Sequence, residues 1–220
     1  MIYIFSAAIF DLDGTMIDSM GMWKDISIVS MKNRNIEIGD DIIKILEVMT
    51  FTESAEFLVN KFGLNENPQV LIKDWNDMAY KYYSDDFKFK PGVFEYLNYL
   101  KNNNKKLAVA TSCMRNLCMA VLESNNATHF FDEIVLSTEI GSNKSTPDIY
   151  IHTASKLGVT PNECMVYEDI LIAIKSARLA GMTVTAVYDK YAAHEIIEIK
   201  KNANFFINGF DELLQSTMQV

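Results

Sequence analysis

Cysteine is scarce in this chain: three residues, Cys113, Cys118 and Cys164, at irregular spacing. That is too few for a disulfide framework and the wrong pattern for a zinc site, and it fits a reduced, cytoplasmic setting. Long apolar runs are missing as well. No segment reaches about 18 consecutive apolar residues, which leaves no candidate for a membrane span. The apolar opening, Ile2 to Phe10, has no basic leader and stops at Asp11, so it reads neither as a signal peptide nor as an anchor. Basic charge is in deficit, with 20 Lys and Arg against 29 Asp and Glu, a formal net charge of −9. A nucleic-acid backbone or an anionic membrane surface is therefore disfavoured as a partner. A small anion would need local help from a cation, a lysine or helix N-termini. Internal repeats and low-complexity tracts are absent too.

What is present is an ordinary globular composition, 49% apolar and 22% charged over 220 residues, long enough for a buried interior. Short apolar runs recur: Tyr3 to Phe10, Leu107 to Ala110, Ile134 to Leu136, Met165 to Tyr167, Val184 to Val187 and Phe205 to Ile207. Between them lie segments with helical spacing: Val93 to Lys101, Leu117 to Asn125, Pro147 to Leu157, Leu171 to Ala180 and His194 to Lys200. This alternation predicts an α/β fold, a Rossmann-like parallel sheet with helices on both faces. From Met16 to about Asp86 the rhythm breaks. Only helical patterns occur there, such as Glu53 to Phe62 and Val70 to Tyr83, the latter with Pro68 near its start. The division expected is a core of residues 1–15 and 88–220 and an inserted α-helical cap of residues 16–87, left through the Pro91-Gly92 turn. A monomer is the expected state.

Four places, at strand ends or in a loop, carry polar chemistry. Asp11-Leu12-Asp13-Gly14-Thr15 follows the first apolar run, so two carboxylates about 7 Å apart start where parallel sheets bind ligands. Gly14 permits a sharp departure, and two acids this close invite a divalent cation. An Asx-type turn closing a strand is the plain alternative. Thr111 and Ser112 end the second run, where hydroxyls also serve as ordinary helix caps. Lys144 lies in the loop before Pro147, a place where most lysines are simply solvated. Glu168 and Asp169 end the run Cys164 to Tyr167, where acids also suit a helix N-terminus. Taken together, the four places outweigh their separate plain readings, because all fall on the ligand-binding face.

In this pattern the chain resembles the haloacid dehalogenase (HAD) superfamily. Its DxDGT motif is similar to Asp11–Thr15 and its strand-end hydroxyl to Thr111. Its lysine motif resembles Lys144 with Pro147-Asp148-Ile149-Tyr150, and its acidic pair resembles Glu168-Asp169 ahead of Ala180-Gly181-Met182. The insert resembles the helical cap of the subgroup with β-phosphoglucomutase and phosphoglycolate phosphatase. Two departures stand out: Ile170 and Ala173 replace a frequent Ser and Gly, and Asn143-Lys144-Ser145 replaces Gly-Lys-Pro.

The resemblance implies a Mg²⁺-dependent phosphatase acting on a small phosphorylated metabolite through a phosphoaspartate. Asp11 is then the nucleophile and Asp13 the acid and base. Mg²⁺ falls to Asp11, the Asp13 backbone carbonyl and Asp169, with Glu168 supporting them from behind. Thr111 and Lys144 hold the phosphoryl group, while Ser112 and Trp23 are substrate-binding candidates. Met16, Met20, Met22, Met49 and Phe51 are open to the same reading or to plain cap packing. Arg115 reads as a surface helix arginine near Thr111, with a substrate contact the alternative.

Other chemistries of the superfamily fit the same residues less well. Dehalogenases of the superfamily lack the second aspartate, which is present here as Asp13. Phosphonate-cleaving relatives need a cap lysine, for which only Lys24 is placed. The main alternative is a sugar-phosphate mutase, whose relatives carry a cap His and Arg. Here Trp23 and the run Thr50-Phe51-Thr52 stand at those places. A receiver-like phospho-switch is disfavoured by Asp13 and by the insert.

Overall fold

The computed structural model describes residues 5–46, 49 and 51–217. Tyr3 and Ile4 of the first expected strand, and Thr50 of the cap run, lie outside these residues. By contacts the chain forms two compact units, Met1–Met20 with Phe87–Val220, and Gly21–Asp86.

The first unit is built on a six-stranded sheet: β1 (Ala7–Phe10), β2 (Lys106–Thr111), β3 (Glu133–Leu136), β4 (Cys164–Glu168), β5 (Thr183–Val187) and β6 (Phe205–Ile207). Every pairing is parallel and the order is β3-β2-β1-β4-β5-β6. β1, β4 and β5 are buried along their whole length, as strands covered on both faces must be. That is why they read as unbroken apolar runs instead of alternating ones.

Alternate residues of the strands feed two interiors. Ala7, Ile9, Ala108, Ala110, Val166 and Val184 pack with the helices that follow β3 and β4, among them Ile149, Tyr150, Ala154, Ile174 and Ala177. On the other side Phe10 stacks on Tyr167 at 4.6 Å between ring centroids, with Tyr96 and Phe210 closing the cluster. These rings are large, and burying each contributes about 1.5–3 kcal/mol.

The second unit contains α1 (Met22–Lys32), α2 (Asp40–Leu46), α3 (Phe51–Phe62) and α4 (Pro68–Lys81), followed by a wide turn at Tyr82–Asp86. Asn67 caps α4 by accepting the Gln69 N–H at 2.9 Å, and Pro68 takes the first helical position, where its missing N–H costs nothing. Leu71, Trp75 and Ala79, spaced by four, form the buried stripe of α4. Arg34, just beyond α1, reaches Asp74 at 2.6 Å and Glu66 at 3.0 Å, fastening α1 to α4 and to the loop before it.

The remaining helices belong to the sheet unit: α5 (Val93–Asn102), α6 (Arg115–Ser124), α7 (Asp148–Leu157), α8 (Leu171–Leu179), α9 (Ile196–Asn202) and α10 (Asp211–Thr217). The division between the units falls after Met20, five residues later than the sequence expectation. The reason is local. Met16 N–H donates to Leu12 at 2.9 Å, Ile17 pairs with Phe89, and Ser19 bonds Asp13, so the turn after β1 stays with the sheet. Among the described residues no helix is long and apolar enough to cross a membrane.

Candidate active site

The strand order reverses beside β1, whose neighbours are β2 on one side and β4 on the other. In open parallel sheets the crevice for ligands lies at such a reversal, beyond the carboxyl ends of the strands. Asp11 stands one residue past β1, and its N–H continues the ladder to the Tyr167 carbonyl at 3.0 Å. The chain then turns. Gly14 has φ +83°, and a Cβ there would overlap Oδ2 of Asp169, so a side chain is excluded on two counts. Thr15, fully buried, donates its hydroxyl to Asp169 Oδ1 at 3.1 Å. Asp13 is half-buried and turns Oδ1 to the Ser19 hydroxyl at 2.6 Å.

β4 delivers Glu168 and Asp169 beside Asp11. One oxygen from each of Asp11, Glu168 and Asp169 lies within 4.8 Å of the others, and all three residues are buried. Lys144 donates to both Asp11 Oδ1 and Glu168 Oε1, and Tyr150 donates to Glu168 Oε1 at 2.8 Å. Three carboxylates thus face one ammonium, a formal excess of two negative charges. The protonation equilibria register that excess. Glu168 is pushed up to about 7 by burial first and by Asp11 second, against the pull of Lys144. Asp169 is raised well above its ordinary value by burial and then by Asp11 and Glu168. Burial opposes the charge on Lys144, yet Asp11 and Glu168 outweigh it and hold the ammonium above the ordinary lysine value. Asp169 Oδ2 is buried with no hydrogen-bond partner among the described residues. Such an atom is costly unless something positive meets it.

β2 ends on Thr111, buried, whose Oγ1 accepts the Cys113 N–H at 3.0 Å. Ser112 is exposed and accepts a bond from the buried Ser137 at 3.2 Å. Arg115 is exposed and pairs with Glu139 at 2.6 Å. Trp23 belongs to α1 of the other compact unit and is half-buried there. Met16 and Met22 are buried, whereas Met20 is exposed at the surface.

A family model described as haloacid dehalogenase-like hydrolase matches residues 8–187. The chain belongs to this family. Among curated relatives, this hydrolase is similar to a phosphorylated carbohydrates phosphatase of Thermotoga maritima, 24% identical over 80% of this chain and 82% of that one. It is also similar to a phosphoglycolate phosphatase of Aquifex aeolicus, 28% identical over 81% of this chain and 82% of the relative. A solved β-phosphoglucomutase from Clostridium difficile superposes with a TM-score of 0.72 at 22% identity, over 98% of this chain and 96% of that one. That likeness is one of fold.

Several contacts of this HAD-like site were not assigned from sequence. Thr15 and Tyr150 sit inside the recognised motifs, yet nothing in their spacing says that one bonds Asp169 and the other Glu168. Lys90 donates to the Gly14 carbonyl and pairs with Asp189 at 3.1 Å. Its only sequence signal was the neighbouring Pro91-Gly92 turn.

Proposed function

We propose that this protein is a Mg²⁺-dependent phosphatase that hydrolyses a small phosphorylated metabolite through a phosphoaspartate on Asp11. The reading is carried by the buried cluster of Asp11, Glu168 and Asp169, which Lys144 neutralises only in part. A divalent cation fits it. The excess charge is two, Asp169 Oδ2 lacks a partner, and the bare Gly14 leaves open the space in front of that oxygen. Asp11, Asp169 and the Asp13 carbonyl would hold the ion. When bound, it offsets the negative charge that gathers between nucleophile and phosphoryl oxygens.

The side chains divide the remaining work. Asp11 attacks phosphorus, its carboxylate held in orientation by Lys144. As the ester P–O bond breaks, Asp13 gives its proton to the leaving oxygen; it then takes a proton from the water that cleaves the acyl phosphate. Its position in a half-buried turn, steadied by Ser19, supports that exchange with solvent. Thr111 donates its hydroxyl to the phosphoryl group, and Glu168 fixes Lys144 from behind with Tyr150. The relatives named for phosphorylated carbohydrates and phosphoglycolate support a small phosphorylated substrate. Trp23 and Ser112 remain the proposed substrate contacts.

The test is turnover of p-nitrophenyl phosphate, followed by a panel of metabolite mono- and bisphosphates with Mg²⁺. Asp11→Asn is expected to abolish phosphate release. Activity retained by that variant removes the nucleophile assignment. Preference for a bisphosphate with an isomerised product replaces the phosphatase with the mutase.

A further inference from the structure

Lys90 is not part of the acidic cluster, yet it grips the turn that shapes it. Its backbone N–H donates to the Met16 carbonyl at 2.7 Å, and its ammonium donates to the Gly14 carbonyl. The same ammonium pairs with Asp189 Oδ2 at 3.1 Å and lies 3.4 Å from the Tyr188 carbonyl. Asp189 is buried and is itself fixed, because its Oδ1 accepts the Tyr191 N–H at 2.9 Å. One side chain thus ties the loop after β1 to the loop after β5.

The Gly14 carbonyl belongs to the peptide that leads into Thr15, and the Thr15 hydroxyl holds Asp169. The amides on either side are held, Gly14 N–H by the Ile17 carbonyl and Met16 N–H by the Leu12 carbonyl, both at 2.9 Å, while the carbonyl between them, on a residue with φ +83° and no side chain, takes its bond from Lys90. Asp189 acts on Asp169 through its charge, and Lys90 offsets that charge, so the bond to the Gly14 carbonyl is the geometric contribution of Lys90 to the cluster. We infer that Lys90 is a positioning residue for the cation-binding carboxylate, acting through the Gly14–Thr15 peptide to hold Asp169 in its coordinating orientation. The inference rests on the proposed reading of the Asp11 and Asp169 cluster as a metal site.

The location of Lys90 supplies its own control. The lysine lines an open cleft of about 380 Å³ together with Asp18, Tyr188, Asp189 and Lys190. Truncation to Lys90→Ala therefore leaves room, open to solvent, for a small alkylammonium ion to occupy the vacated place. Lys190 lines the same cleft but pairs with the exposed Asp18, away from the Gly14 carbonyl.

The experiment is titration of the whole protein with Mn²⁺, read by calorimetry, alongside p-nitrophenyl phosphate kinetics and thermal unfolding. For Lys90→Ala the Mn²⁺ dissociation constant is expected to rise about 10- to 100-fold, the range seen when partners behind a metal ligand are lost. Ethylammonium should restore part of that affinity, and Lys190→Ala should bind as wild type. Lys90→Arg, which keeps the charge and the pairing with Asp189, covers the case in which the alanine variant does not fold. Its planar head cannot place one ammonium between both acceptors, so a several-fold loss is expected there too. Wild-type Mn²⁺ affinity in the folded Lys90 variants overturns the inference, as does a loss that Lys190→Ala reproduces or that ethylammonium leaves unchanged. Wild-type protein that binds no Mn²⁺ gives a different result and overturns the metal-site reading itself, with this inference following it.

Discussion

Withdrawing divalent metal should make this protein less stable as the pH rises from 5 to 8. The cause is Glu168, whose folded carboxyl is pushed from an ordinary 4.5 up to about 7 by burial and by Asp11. A raised folded value means that the native state holds a proton the unfolded chain has already released. The stability linked to that proton is full below about 4.5 and is lost as the pH climbs through 7. At about 1.4 kcal/mol per pH unit the loss is about 3 kcal/mol, or roughly 6–12 °C in Tm for a chain of this size. Asp169, raised for the same reasons, adds in the same direction. Neighbouring groups do not mask the effect. Glu139 and Glu163 are lowered, so they titrate below the window, and Lys144 is raised, so it stays charged throughout. The assay is a Tm series by circular dichroism in EDTA, repeated with 10 mM Mg²⁺ (a concentration of order 10 mM, chosen to saturate a site of ordinary affinity). In the proposed reading Mg²⁺ binds the ionised cluster, so it should raise Tm far more at pH 8 than at pH 5. A metal-free Tm that is flat or rising across the window, or an equal gain from Mg²⁺ at both ends, would refute the charge-deficit argument.

Gly14→Ala should lower stability by at least about 1–2 kcal/mol from the positive φ alone, and it should abolish Mg²⁺ protection because the new methyl meets the Asp169 carboxylate. Denaturant unfolding with and without Mg²⁺ measures both effects. Ile170→Ser should change stability by no more than about 1 kcal/mol: the new hydroxyl can cap α8, which now has no side-chain cap, but the substitution gives up the packing of a half-buried isoleucine. A large loss in the same unfolding assay would show that packing dominates. Among the cysteines, iodoacetamide at pH 8 should label half-buried Cys113 first. Cys118 is pushed up to about 12 by burial and then by Asp13, and Cys164 to about 12 by burial, so their thiolates are about 1000-fold rarer than for a thiol near 9. Peptide mass spectrometry showing native-state labelling of either one would contradict that picture.

The sheet was legible because its inner strands β1, β4 and β5 are buried on both faces and therefore stand out as short unbroken apolar runs. Each of the six expected runs falls on a strand, but β1 keeps only Ala7–Phe10 of the run from Tyr3, with Phe5 and Ser6 outside it, and β2 starts at the exposed Lys106 and ends on Thr111. Helices with ordinary start signals were legible too, as Pro68 was for α4. α1 carries no such signal, because its N-cap is Gly21, which offers no side-chain oxygen. α10 is only seven residues long, less than two full turns of apolar pattern, and was also missed. The residues of the site were legible as types at strand ends. Their pairings were not, because Thr15 meets Asp169 across 154 positions and Lys144 meets Asp11 across 133, separations set by strand order and not by local spacing.

Lys144 shows most clearly where sequence reasoning ends. As a residue in a polar loop before a proline it has every mark of a solvated charge, and composition alone would leave it in water. The fold instead buries it between Asp11 and Glu168. An ammonium can stay charged there only because the two carboxylates outweigh its loss of hydration, and they in turn need it because each would otherwise face the other unshielded. One lysine cannot balance three acids, so the same burial that makes Lys144 necessary also makes it insufficient. In the proposed reading a divalent cation makes up that shortfall, and neutralising any one of the three carboxylates cuts the excess from two negative charges to one.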